Sequence, residues 1–129
     1  MVVKYLFDTH IFLWAFEDSP RLSSEARYLL GEYEKELYFS AVSPWEIAMK
    51  SGTKRALPIT AKEFRQHLID SGFKELPITS RHAEIVETLP HFHDDPFDRM
   101  LIAQAMAEDC ILVTHDDKLP QYGAFVRKV

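Results

Sequence analysis

The sequence predicts an α/β fold: a parallel sheet of about five strands with helices on both faces. Three observations carry that prediction. The run V-V-K-Y-L-F (2–7) is short, apolar and ends at Asp8, as a buried strand would. Similar runs recur at 36–40, 74–78, 110–114 and 124–128. Between them lie segments with helical periodicity and helix-start signatures, so strands and helices alternate.

After the first strand, residues 10–17 are apolar and aromatic and read as a short helix. Leu22, Ala26, Leu29, Leu30 and Tyr33 recur at helical spacing and give a second helix, ended near Gly31 or soon after. E-L-Y-F-S (36–40) is the second strand. S-P-W-E (43–46) opens a third helix, with Ser43 as cap, Pro44 in first position and Gly52 as its close. Thr60 and Glu63 form a capping box for a fourth helix that closes at Gly72. K-E-L-P-I (74–78) is a strand cut short by its proline, and Thr79 starts a helix carrying Ala83, Val86 and Leu89. A helix from Pro96 to about Glu108 is apolar on most faces and should be buried. C-I-L-V-T (110–114) then reads as a central strand and A-F-V-R-K (124–128) as the last.

The totals fit one domain over residues 1–129, with 47% hydrophobic and 27% charged residues. No apolar run approaches the roughly 20 residues of a membrane span. The opening residues lack the basic region and cleavage site of a signal peptide. Cys110 is the sole cysteine, which excludes intrachain disulfides and cysteine-rich zinc sites; as a buried strand residue it should be inert. There is no asparagine and so no glycosylation sequon. A cytoplasmic protein is the expectation. A net charge of −5 argues against a plain nucleic-acid-binding module, though not against an enzyme whose carboxylates are cancelled by cations.

In such sheets ligands sit beyond the carboxyl ends of the strands. Asp8 and Asp116 follow strands at that edge, while Glu46 and Asp98 fall in first turns of helices that begin there. Two like charges ~4 Å apart repel by about 4 kcal/mol at an effective dielectric of 20. Four carboxylates in one cleft therefore require protonation or a hard divalent cation. Oxygen-only ligation favours Mg²⁺ or Mn²⁺, which activate water for phosphodiester hydrolysis. Each acid also has a plainer reading: Glu46 as partner of Ser43 in a capping box, Asp98 as dipole complement, Asp8 and Asp116 as turn residues. Convergence of all four at one edge is what the plainer readings do not predict. Asp95, before Pro96, is the natural helix cap.

F-D-T-H-I-F-L-W (7–14), S-P-W-E-I-A-M-K (43–50), D-P-F-D-R-M-L-I-A-Q-A (95–105) and L-V-T-H-D (112–116) resemble, in order and spacing, the PIN-domain ribonucleases. Among these the chain is similar to VapC-type toxins of toxin–antitoxin pairs. The resemblance implies a PIN-like three-layer sandwich, a divalent-metal site and cleavage of single-stranded RNA. It also implies a homodimer neutralised by a small antitoxin. Carried over by position, the catalytic and metal-holding acids are Asp8, Glu46, Asp98 and Asp116, with Thr9 and Thr114 hydrogen-bonding behind them. Asp94 departs from the pattern, since a basic residue is expected there. An acidic cleft on a chain of −5 should also receive a basic segment of the antitoxin.

Other groups have weaker signals. His91 and His93 form an H-x-H pair that reads as a solvated loop, because nothing completes a zinc site. His115 adjoins Asp116. Lys50, Lys54 and Arg55 form a basic cluster; Lys50 is spaced to pair with Glu46, and the cluster also suits RNA phosphates. Trp14, Phe16 and Trp45 suit core or dimer packing better than base stacking. The competing class is a non-enzymatic receiver-like domain with an acidic cation-binding pocket. It would require a lysine ending the strand after 110–114, yet Lys118 precedes that strand.

Overall fold

The computed structural model describes residues 2–32 and 34–129. Its strands are β1 (Lys4–Phe7), β2 (Glu36–Ser40), β3 (Lys74–Leu76), β4 (Ile111–Thr114) and β5 (Val126–Lys128). Its helices are α1 (Thr9–Phe16), α2 (Ser24–Leu30), α3 (Val42–Lys50), α4 (Ala61–Asp70), α5 (Ser80–Thr88) and α6 (Pro96–Glu108), with a 3-10 turn at Leu119–Tyr122. All strand pairings are parallel, in the order β3-β2-β1-β4-β5. A receiver-type sheet runs β2-β1-β3-β4-β5, so this topology rejects the regulatory alternative.

Strand periodicity divides the core. Phe7 lies in register with Phe39 and Val113, and the three point to one face. There they meet α1, α2 and α4 through Phe12, Ala26, Leu29, Phe64 and Leu68. The ring of Phe12 stands 5.4 Å from Phe7 and 5.9 Å from Phe64. Leu6 and Leu112 point the other way, onto Leu101, Ile102 and Ala105 of α6 and Leu89 after α5. Burying each of the Leu, Ile, Val and Phe side chains among these contributes about 1.5–3 kcal/mol. Helices thus cover both faces of a sheet buried on both sides.

Helix α3 sits at the carboxyl edge rather than on either face. Its Val42 joins the α6 layer, while its Ile47 joins the α4 layer. Strands β1 and β4 are neighbours, yet the chain leaves β1 toward β2 and returns to β4 only after β3. Their carboxyl ends flank the topological switch point, where such sheets open a crevice.

Boundaries differ from the sequence reading in explicable places. The first strand begins at Lys4, and the third stops at Leu76 because Pro77 has no N–H for a ladder. The second helix ends at Leu30; Tyr33, read as its last apolar position, lies outside the described residues. Helix α3 starts at Val42, so Ser43 is not its cap and Pro44 is not its first residue. Instead Ser40 Oγ accepts the Val42 N–H at 2.9 Å. The Thr60–Glu63 capping box is present, and Gly72 follows α4 with φ of +90°, a conformation open to glycine. The 3-10 turn at Leu119–Tyr122 has no counterpart in the sequence reading.

Candidate active site

Asp8 leaves the end of β1 and caps α1, its Oδ1 accepting the His10 N–H at 3.0 Å. Its other oxygen accepts the Thr114 hydroxyl at 2.7 Å. That hydroxyl also accepts the Asp116 N–H at 3.1 Å. Thr114 therefore ties the β1 and β4 ends together and aims both acids into one crevice.

Thr9 does the same for Glu46. Its hydroxyl donates to Glu46 Oε1 at 3.0 Å and, having spent its proton, accepts from Ser43 Oγ at 2.7 Å. Ser43 is thus turned inward behind an acid instead of capping, and Glu46 belongs to no capping box. The second Glu46 oxygen pairs with Lys50 one turn along α3.

Asp95 caps α6, accepting the N–H groups of Phe97 at 2.8 Å and Asp98 at 3.3 Å. With Pro96 in first position, this start directs Asp98 toward the crevice. Asp116, in the turn after β4, accepts the Lys118 N–H on Oδ1 at 2.8 Å. Asp8, Glu46, Asp98 and Asp116, predicted from the edge of the sheet, line one open cleft of about 340 Å³.

The electrostatics of the cleft are unbalanced. Asp8 is only 7% exposed, and burial pushes its carboxyl up against the opposing bonds from Thr114 and His10. Asp98 is pushed up to about 9, first by burial and then by the charges of Asp8, Asp95, Glu46 and Asp116. A carboxyl kept protonated near neutrality by burial and by its acidic neighbours is one on which a divalent cation can replace the proton. The donor set is oxygen-rich and fits a hard ion such as Mg²⁺ or Mn²⁺.

Some side chains fall elsewhere than the sequence indicated. Lys50 lines the cleft, whereas Lys54 and Arg55 are exposed on the turn beyond α3 and outside its lining. Trp14 is partly buried against the core and also lines the cleft, beside His10, Arg21 and His115. Its ring stands edge-on to His115 at 5.1 Å and carries the Arg21 guanidinium at 6.0 Å. His115 also bonds Val129 O through Nδ1 at 2.8 Å. Trp45 is half-exposed against Phe97, and Phe16 packs on Phe64.

His93 corrects the solvated-loop reading. Its Nε2 lies 2.9 Å from Asp98 Oδ2 and 3.1 Å from Asp116 Oδ2. His91 stays exposed, and so does Asp94. Arg99, in the D-P-F-D-R run, is buried and donates to the carbonyls of Val86, Leu89, Pro90 and His93. Neither role was legible, although the H-x-H pair just ahead of the Asp95 cap was a place to look. Arg21 offered no local signal at all. Cys110 is buried in apolar surroundings that push its thiol up to about 11.

A larger groove, about 590 Å³, runs between α3 and α4 past Ile47, Leu57, Pro58 and Ile59. Its only charged lining residues are Lys62 and Glu63, so it holds no comparable chemistry. Among the described residues, no helix is long and apolar enough to cross a membrane.

Comparison with known proteins agrees with this fold. Among solved structures the chain is similar to VapBC2 from Rickettsia felis bound to a DNA fragment from their promoter. That match has 14% identity and a TM-score of 0.67, and covers 98% of each chain. It is also similar to a toxin–antitoxin complex from Klebsiella pneumoniae, at 21% identity and a TM-score of 0.65 over 97% of this chain and 99% of that one. At such identities the likeness is one of fold. No curated protein sequence matches the chain. The family model for the PIN domain matches residues 5–124, which takes in four of the five strands and every acid of the cleft. The chain belongs to the PIN domain family.

Proposed function

We propose that this PIN domain is the VapC-type toxin of a toxin–antitoxin pair, a divalent-cation-dependent endoribonuclease. The observation that carries the reading is the convergence of Asp8, Glu46, Asp98 and Asp116 on one cleft, with Asp98 held up to about 9. Asp8, Asp98 and Asp116 would hold Mg²⁺ or Mn²⁺, with Glu46 beside them. A bound ion of this kind lowers the pKa of water and offsets charge building on a phosphate in the transition state.

The chain's own groups complete the centre. Thr114 and Thr9 fix the rotamers of Asp8 and Glu46, so the carboxylates need little rearrangement. Lys50 and Arg21 line the cleft and can meet RNA phosphates, while Trp14 offers a face on which a base can stack. Lys54 and Arg55, exposed on the turn after α3, would extend the RNA path. The excess of carboxylates would equally draw in an arginine or lysine of an antitoxin, which would block the cleft. The toxin–antitoxin complexes among the structural relatives support that partner, and a homodimer acting in the cytoplasm is what the motif resemblance implies.

Induced expression followed by mapping of new RNA 5′ ends tests the proposal, with Asp8→Asn as the control. New ends at a recurring sequence, absent with Asp8→Asn, are expected. Identical maps from both proteins would refute the assignment.

A further inference from the structure

We infer that His93 is a positioning residue that holds Asp98 and Asp116 as a pair facing the cation site, without itself binding the ion. The inference rests on the metal-dependent reading above.

Three observations lead there. The first is the tautomer. The backbone N–H of Asp94 donates to His93 Nδ1 at 3.1 Å, so Nδ1 carries a lone pair and the ring proton sits on Nε2. That proton points at carboxylates, 2.9 Å from Asp98 Oδ2 and 3.1 Å from Asp116 Oδ2. A ring that ligated an ion through Nε2 would have to move its proton to Nδ1, against the Asp94 N–H. The second is position. Asp98 and Asp116 line the cleft, but His93 is not among the residues that do. Nε2 lies close enough to the two carboxylates for all three to share an ion, and it is the proton on Nε2 that makes the ring a supporting donor instead.

The third is anchorage. The His93 N–H donates to the Tyr122 hydroxyl at 3.2 Å, and that hydroxyl donates onward to Pro90 O at 2.8 Å. The His93 carbonyl accepts from Arg99 Nη1 at 3.4 Å, and the same nitrogen bonds Pro90 O at 2.9 Å. The 3-10 turn and α6 therefore grip the backbone on both sides of the ring. Asp98 and Asp116 come from different elements, far apart in sequence, and His93 is the group that spans them.

The test is Mn²⁺ binding by titration calorimetry to wild type, His93→Gln and His93→Leu, each first checked for a cooperative melt in EDTA. Gln places an N–H₂ donor near the position of Nε2; Leu does not. The expected result is affinity about 10–100-fold weaker in His93→Leu and largely restored in His93→Gln. RNA cleavage by His93→Leu should fail at limiting Mn²⁺ and recover at saturating Mn²⁺. Electron spin-echo spectroscopy of Mn²⁺-loaded wild type, which needs no variant to fold, should show no directly coordinated imidazole nitrogen. Coordinated nitrogen, or equal losses in Gln and Leu, would make His93 a ligand and overturn the inference. Tighter binding by His93→Leu would overturn it too, by showing that the ring competes with the ion. Should wild type bind no Mn²⁺, the metal reading itself falls and takes this inference with it.

Discussion

Two polar clusters meet helix α6, and they are built on opposite principles. Toward the middle of the helix, the buried Gln104 accepts the Ser40 hydroxyl at 2.5 Å and donates to Pro77 O at 3.3 Å. Ser40 in turn accepts the Val42 N–H. Donors and acceptors match, every group is neutral, and the network pins β2, β3 and the start of α3 to α6. At the start of the same helix, Asp98 faces Asp8, Glu46 and Asp116 with far more acceptors than donors. A satisfied network specifies a fold. A cluster with surplus negative charge costs stability, and it persists where something binds there. The contrast is the physical ground for placing function at the start of α6 and structure farther along it.

The sharpest break of that comparison is Asp98→Asn, which keeps size and removes the group that can exchange its proton for a cation. Activity should fall by orders of magnitude while the metal-free protein holds or gains stability, read by cleavage rates and melts in EDTA. The pH dependence follows with a definite sign. Asp98 titrates near 3.8 when unfolded and at about 9 when folded, so the folded chain holds a proton that the unfolded chain releases. Its contribution is fully present below about pH 4 and is lost as pH rises through about 9. Metal-free wild type should therefore melt lower as pH climbs across that window, and Asp98→Asn should flatten the slope. An unchanged slope would mean that Asp98 is not the strained acid.

The opposite pattern belongs to Gln104→Leu. Near-equal volume leaves no large cavity, but Ser40 and the Pro77 carbonyl lose their partner, at about 1–3 kcal/mol. Chemical denaturation should register that loss, while Mn²⁺ affinity stays within a few-fold of wild type. A smaller effect is expected from Asp95→Ala, which lacks the α6 cap and should lose about 0.5–2 kcal/mol while keeping much of its activity. If Asp95→Ala were inactive but well folded and Asp98→Asn active, cap and ligand would be exchanged.

What the sequence made legible were groups whose role is local. Thr60 with Glu63 and Asp95 before Pro96 cap helices because their partners lie within one turn. Asp8 and Asp116 follow apolar runs, and a parallel sheet brings such ends to one edge. Ser43 failed because Ser40, three positions earlier, took the free N–H of Val42 and started α3 sooner, releasing Ser43 to Thr9. His93 failed because its acceptors sit on α6 and beyond β4, and only the fold unites them. Trp14 read as core or dimer packing; it does pack on the core, and what the sequence did not show is that α1 also brings it to the cleft.

The central claim is that the acid surplus at the α6 start is a cation site for RNA hydrolysis. Its most direct test is cleavage of single-stranded RNA by protein stripped of metal, then supplied with Mg²⁺ or Mn²⁺, with melting followed in parallel. EDTA should abolish cleavage, and either ion should restore it and raise the melting temperature. Undiminished cleavage by protein confirmed to be metal-free would contradict the account.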